Sequence, residues 1–176
     1  MIEIREANKS QAAEIACLIM MAMTDDCCLY FCGEDYGLEE LTSGRACSRS
    51  AEQANLRRSR LLGAFRKMMT MLVEREDSQY SYRNTLVAMD ANRVVGISVS
   101  YDGGLLHELR RAFIEAAKEH FGKDHTGMDD ETQAGELYLV LWPCYLNIAV
   151  KALPENCYWL PRNGPIVWVC HVSDYW

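Results

Sequence analysis

Between positions 84 and 99 the chain runs Asn84-Thr-Leu-Val-Ala-Met-Asp-Ala-Asn-Arg-Val-Val-Gly-Ile-Ser-Val, and no other segment constrains its architecture as tightly. Asn84 to Met89 and Val94 to Tyr101 are β-prone runs. Asp90-Ala91-Asn92-Arg93 between them supplies turn formers where the backbone must reverse, which predicts a hairpin. Asp102-Gly103-Gly104 ends the second strand. Leu105, Leu109, Ala112, Phe113 and Ala116 then recur at helical spacing as far as Gly122. An acidic stretch (Asp124, Asp129, Asp130, Glu131) follows and reads as a solvated turn, because it lacks the glycine placement of a calcium loop. Glu136-Leu137-Tyr138-Leu139 begins another strand.

Upstream of the hairpin, Ile2 and Ile4 alternate with Glu3 and Arg5, as in a strand with one buried face. Asn8 or Ser10 can cap the helix that follows, whose buried stripe is Ile15, Leu18, Ile19, Ala22 and Met23. Asp25 to Gly37 reads as irregular. Leu62, Phe65, Met69 and Leu72 mark a second helix over Leu61 to Arg75, and the methionines Met20, Met21, Met23, Met68, Met69 and Met71 read as core filler. From Thr42 to Arg60 five arginines face one acid, Glu52, which is expected of a solvated loop or helix face rather than a phosphate-binding patch. The order β, α, α, β, β, α, β predicts an α/β domain, α+β-like, with a mixed, mostly antiparallel central sheet flanked by helices.

Composition sets outer limits. The 176 residues are 49% hydrophobic, enough for the core of one globular domain, and this excludes a disordered tail, a collagen-like fibre and a disulfide-stapled miniprotein. A formal charge of −7 provides no basic footprint for nucleic acid or an anionic membrane. No apolar run reaches membrane-spanning length, since Ile15 to Met23 is a helical face. Met1 to Arg5 lacks the basic start and apolar centre of a signal peptide. With eight cysteines, this implies a cytoplasmic protein with free thiols.

The element order, with Asn84 to Val99 and Gly135-Glu-Leu-Tyr-Leu, resembles the GNAT superfamily of N-acetyltransferases over roughly residues 1–139. The resemblance implies transfer of acetyl from acetyl-coenzyme A to a primary amine on a small molecule or peptide, with no metal. It also implies roles for individual residues. Glu136, at the start of the last predicted strand, stands where many relatives carry the base that takes the amine proton, its alternative being an ordinary strand-end carboxylate. Tyr138 lines the acceptor pocket or is a core tyrosine. Leu139, Val140 and Leu141 supply the backbone groups that pair with the pantetheine arm.

The family's phosphate loop, Arg/Gln-x-x-Gly-x-Gly/Ala opening a helix, should follow; its exposed amides hold the coenzyme A pyrophosphate. It is missing. All four tryptophans (Trp142, Trp159, Trp168, Trp176) and all four prolines (Pro143, Pro154, Pro161, Pro165) lie after Leu139 instead. The genetic code accounts for the break. When triplets are read from each codon's third base, Trp142–Pro143 forces Ala, and Cys144–Tyr145, Asn156–Cys157, Cys157–Tyr158 and Tyr158–Trp159 each force Leu. The other triplets permit Ser-Leu-Ala-Val-Leu-Pro-Glu-Tyr-Arg-Gly-Lys-Gly-Ile-Ala-Arg-Lys-Leu-Leu-Leu, the missing loop with an apolar helix behind it. Residues 140–176 therefore read as a frameshifted tail on a truncated or rearranged acetyltransferase. Ile166 to Val172 is β-prone and can pair with the sheet edge or with another chain, while Asn156 to Pro165 is expected to pack poorly.

Two kinds of function follow. One is acetyl transfer with acetyl-coenzyme A as co-substrate, impaired by the lost loop. The other is a non-catalytic protein of the same fold that acts through a protein partner or as a homodimer joined by a sheet edge or the tail. Cys27, Cys28 and Cys32 lack the Cys-x-x-Cys spacing of a zinc site and read as free, partly buried thiols. His107, His120, His125 and His171 show no ligand spacing and read as solvated or packed.

Overall fold

A computed structural model describes residues 2–34, 48–143, 157–160 and 167–171. Its centre is an antiparallel sheet of β1 (Ile2–Glu6), β2 (Thr85–Asp90), β3 (Arg93–Asp102), β4 (Glu136–Pro143), β5 (Cys157–Leu160) and β6 (Val167–His171). Among the described residues the strand order is β1-β2-β3-β4-β6-β5. Helices α1 (Ala12–Met23), α2 (Asp25–Phe31), α3 (Ser48–Glu74) and α4 (Leu106–Phe121) complete the expected mixed architecture.

The hairpin forms where its sequence places it. Val87 lies opposite Ile97 and Thr85 opposite Val99, so the apolar residues of both strands share the buried face. The turn rests on Ala91, at φ 52°, a left-handed conformation that a Cβ resists. Gly122 ends α4 at φ 69°, where a missing Cβ makes the reversal easy. At the other end of the chain Asn8 closes a capping box with Gln11 over a short 3-10 turn that leads into α1.

One core joins α1, α3, α4 and the sheet: Ile15, Phe65, Met68, Val87 and Phe113 are each at most 1% exposed. At roughly 1.5–3 kcal/mol for each fully buried large side chain, this layer is the main source of stability. Met68 and Met69 are core filler as expected, whereas Met21 and Met71 face solvent on the outer sides of their helices.

Three expectations need correction. β1 has no buried face, since Ile2 and Ile4 are exposed along with the rest of the strand. Asp25–Phe31 is a helix, because Thr24 (φ 67°) breaks it from α1 and caps it, Oγ1 accepting from the Cys27 amide at 3.5 Å with Asp25 and Asp26 in the first turn. The second predicted helix begins earlier, at Ser48, so that much of the basic stretch is the exposed first half of α3. There Arg57 meets Glu34 at 2.6 Å and Arg58 meets Asp26 at 3.0 Å; residues 42–47 lie outside the described residues. Of Asn156 to Pro165, where poor packing is expected, the structure describes the backbone of Cys157–Leu160, a strand at the sheet margin, and the rest lies outside the described residues. β6 pairs antiparallel with β4, so the β-prone tail segment does cover the sheet edge within this chain.

Candidate functional site

The residues singled out in sequence converge at the start of β4. Gly135, at φ 86°, turns the chain so that Glu136 enters the strand buried, at 8% exposure. The carboxylate is held from its own loop: Oε2 accepts from the Gln133 amide at 3.0 Å and the Thr132 hydroxyl at 3.2 Å, and Oε1 accepts from Gln133 Nε2 at 3.4 Å. The Glu136 amide donates in turn to the Gln133 carbonyl at 3.1 Å. These donors hold the carboxylate in place at the turn that opens β4, and three of them leave acceptor capacity on its two oxygens.

Tyr138 is buried on the helix-covered face, directly opposite Tyr101, and the two rings stack at 4.6 Å. With Leu106 they form a second, smaller core. Burial pushes both phenols well above their usual range, and the nearby Glu131 carboxylate pushes the same way. Both therefore remain protonated hydrogen-bond donors. The Tyr101 hydroxyl has no hydrogen-bond partner among the described residues.

Beside this pair lies Arg110 of α4, its side chain only 4% exposed. Nη1 donates to Asp130 Oδ1 at 3.2 Å, Nη2 stands 3.4 Å from Glu131 Oε1, and Nε has no hydrogen-bond partner among the described residues. His107 Nε2 lies 3.1 Å from the other oxygen of Asp130. The acidic stretch is thus not a solvated turn throughout, because Asp130 and Glu131 pair with a buried guanidinium. Gly103 makes this docking possible: a Cβ there would strike the Gln133 carbonyl and the Thr132 hydroxyl. Arg110, Tyr101 and Gly103 were not singled out in sequence. The Asp102-Gly103-Gly104 run is the one available signal, and on its own it reads as a strand end.

Leu139, Val140 and Leu141 lie along β4, paired with β3 at Ser100, Val99 and Ser98. On the other side Leu139 pairs with Trp168 and Val140 with Val167 of β6. A strand has two edges, and over these two residues both carry protein partners. The rail expected for pantetheine is therefore not open in this chain.

No protein-family model and no curated protein matches the sequence. Two solved acetyltransferases resemble it. One is described simply as an acetyltransferase, 20% identical, with a TM-score of 0.41, the match covering 74% of this chain and 52% of that one. The other is an N-acetyltransferase from Staphylococcus aureus Mu50, 15% identical, also at 0.41, covering 73% and 60%. The chain thus spans between half and three-fifths of the length of these structures.

The remaining candidates have structural surroundings. Cys28 of α2 and Cys32, which caps the C-terminal end of that helix, are both buried, and burial pushes both thiols up to about 12. His125 Nε2 lies 3.1 Å from the Phe31 carbonyl, its ring packed against Phe31, and His120 Nδ1 lies 2.9 Å from the Ala116 carbonyl. The His171 backbone pairs with Glu136. Among the described residues no group of three His, Cys, Asp or Glu could hold a metal ion, and no helix is long and apolar enough to cross a membrane.

Proposed function

We propose that this chain is the scaffold of a GNAT-type N-acetyltransferase, whose reaction moves acetyl from acetyl-coenzyme A to a primary amine in the cytoplasm. As the chain stands, that reaction is severely impaired. What carries the proposal is the segment after Leu139: read one base out of frame, its forced triplets fit, and the others permit, an Arg-Gly-Lys-Gly loop and an apolar helix directly behind the strand that would present them. The domain is residues 1–139 and the foreign tail is 140–176. In the intact form Glu136 is the base, Tyr138 lines the acceptor pocket, and the backbone of Leu139, Val140 and Leu141 carries the pantetheine arm.

A second reading is favoured by the β4–β6 register, which fills the edge at Leu139 and Val140. On that reading the chain is a non-catalytic member of the same fold that works by association. Calorimetric titration of the purified chain with acetyl-coenzyme A separates the two. Saturable binding upholds the enzyme, and no heat at millimolar ligand leaves the associating protein. The gene is a separate check on the tail: if no out-of-frame Arg-Gly-x-Gly codons follow codon 139, the frameshift account fails.

A further inference from the structure

β1 forms one margin of the sheet, and every residue from Ile2 to Glu6 is exposed, Ile4 at 64%. The direction of its backbone groups can be worked out. The Ala7 amide donates to the Thr85 carbonyl at 2.9 Å, continuing the register that sets Glu6 opposite Leu86. Hydrogen-bonded and non-hydrogen-bonded pairs alternate along an antiparallel ladder. Ala7, Arg5 and Glu3 therefore turn their amides and carbonyls toward β2. Ile2, Ile4 and Glu6 turn theirs outward, to a side that no described strand covers.

We propose that this edge pairs with the same edge of a second copy of the chain, antiparallel, about a two-fold axis at Ile4. Charge selects the register. An axis at Glu3, Arg5 or Glu6 would set a charge against its own copy, and one at Ile2 would leave most of the strand unpaired. Centred on Ile4, the pairing sets Glu3 against Arg5 of the second copy, and Arg5 against its Glu3, on one face. On the other face Ile4 meets Ile4, and Ile2 lies opposite Glu6. The outward amides and carbonyls of Ile2, Ile4 and Glu6 then meet their like, giving about six backbone hydrogen bonds across the axis. Leu86, 42% exposed, shares the face of Ile4 and extends its apolar strip in each copy.

Charged residues on an edge strand ordinarily repel another strand. The sequence Ile2-Glu3-Ile4-Arg5-Glu6 is self-complementary, so here they admit one partner in one register. The contact is small, and it makes a weak dimer rather than an obligate one.

The test is sedimentation of the full chain under reducing conditions, from roughly 10 to roughly 500 µM. A reversible dimer is expected, with Glu3→Arg and Arg5→Glu each weakening it roughly tenfold or more, because each variant opposes like charges at both symmetry-related positions. The double variant Glu3→Arg/Arg5→Glu recreates the pairs in swapped order and should return to within about threefold of the parent. Both side chains are exposed, and circular dichroism checks that each variant keeps its fold. A monomer throughout overturns the proposal, as does a dimer that the single variants leave intact, which would lie at β5 or the tail, or a double variant that fails to recover. No acetyl-coenzyme A enters the experiment, so its outcome does not depend on the acetyltransferase proposal.

Discussion

β4 is flanked by two strands of different standing. Toward β3, its partner along Gly96–Asp102, the pairing is reinforced by side chains: Tyr138 stacks on Tyr101, and Val140 lies opposite the buried Val99. Toward β6 the pairing runs over Glu136–Val140 in a segment whose sequence reads as the product of a slipped frame. The contrast separates two requirements of a sheet. Backbone pairing is available to any β-prone segment that reaches an open edge. A cofactor cradle requires particular residues at particular places, and under the proposed frameshift those residues are lost.

If the proposed frameshift is right, the largest effect should come from restoring the frame at codon 140. Each charge-assisted bond to a bound pyrophosphate contributes roughly 1.5–3 kcal/mol, so regaining even two predicts an acetyl-coenzyme A affinity about 100-fold or more above that of the parent. Calorimetry measures it, and equal affinities would erase the distinction drawn between the two flanks of β4.

On the β3 side, Arg110→Ala should cost about 2–4 kcal/mol, lowering Tm by roughly 5–12 °C, since it leaves Asp130 and Glu131 without their buried cation. A smaller loss, about 1–3 kcal/mol, is expected for Gly103→Ala, whose added methyl group displaces the loop that holds Glu136. Both are read from thermal melts. Unchanged melting in either would mean that the 124–136 segment is not fixed as described.

On the β6 side, a stop at codon 157 removes β5 and β6, and it should shift stability by only about 1 kcal/mol while raising self-association through the bared edge of β4. A collapse of the fold would show that the tail packs as well as pairs. The smallest effect is expected at the hairpin turn, where Ala91→Gly relieves the φ of 52° and should gain about 0.5–1 kcal/mol.

The legible parts of this molecule were those set by local chemistry. The hairpin, the α1 stripe, the Asn8 cap and the Gly122 stop each depend on a few neighbouring residues, and each stands where its sequence indicates. Helix α2 was missed because seven residues carry too little periodicity, although Thr24 ahead of two acids was a visible cap. The first half of α3 is the solvated helix face that its arginines allow, but with no apolar stripe and Leu56 exposed, the sequence does not separate it from a loop. Arg110 could not be found locally at all. On an amphipathic helix an arginine looks solvated, and its burial depends on a loop some twenty residues away folding over it, which Gly103 permits. Glu136 and Tyr138 were placed in the correct strand and buried together, yet whether the edge beside them was open depended on the far end of the chain.

Amide hydrogen exchange along β4 tests the central claim most directly. In a strand paired on both sides every amide is protected, whereas a free edge leaves alternate amides open to solvent. The account predicts slow exchange at each of Leu137, Tyr138, Leu139 and Val140. Fast exchange at alternate positions among them would show that β6 does not occupy that edge, and would contradict the account of why the rail is closed.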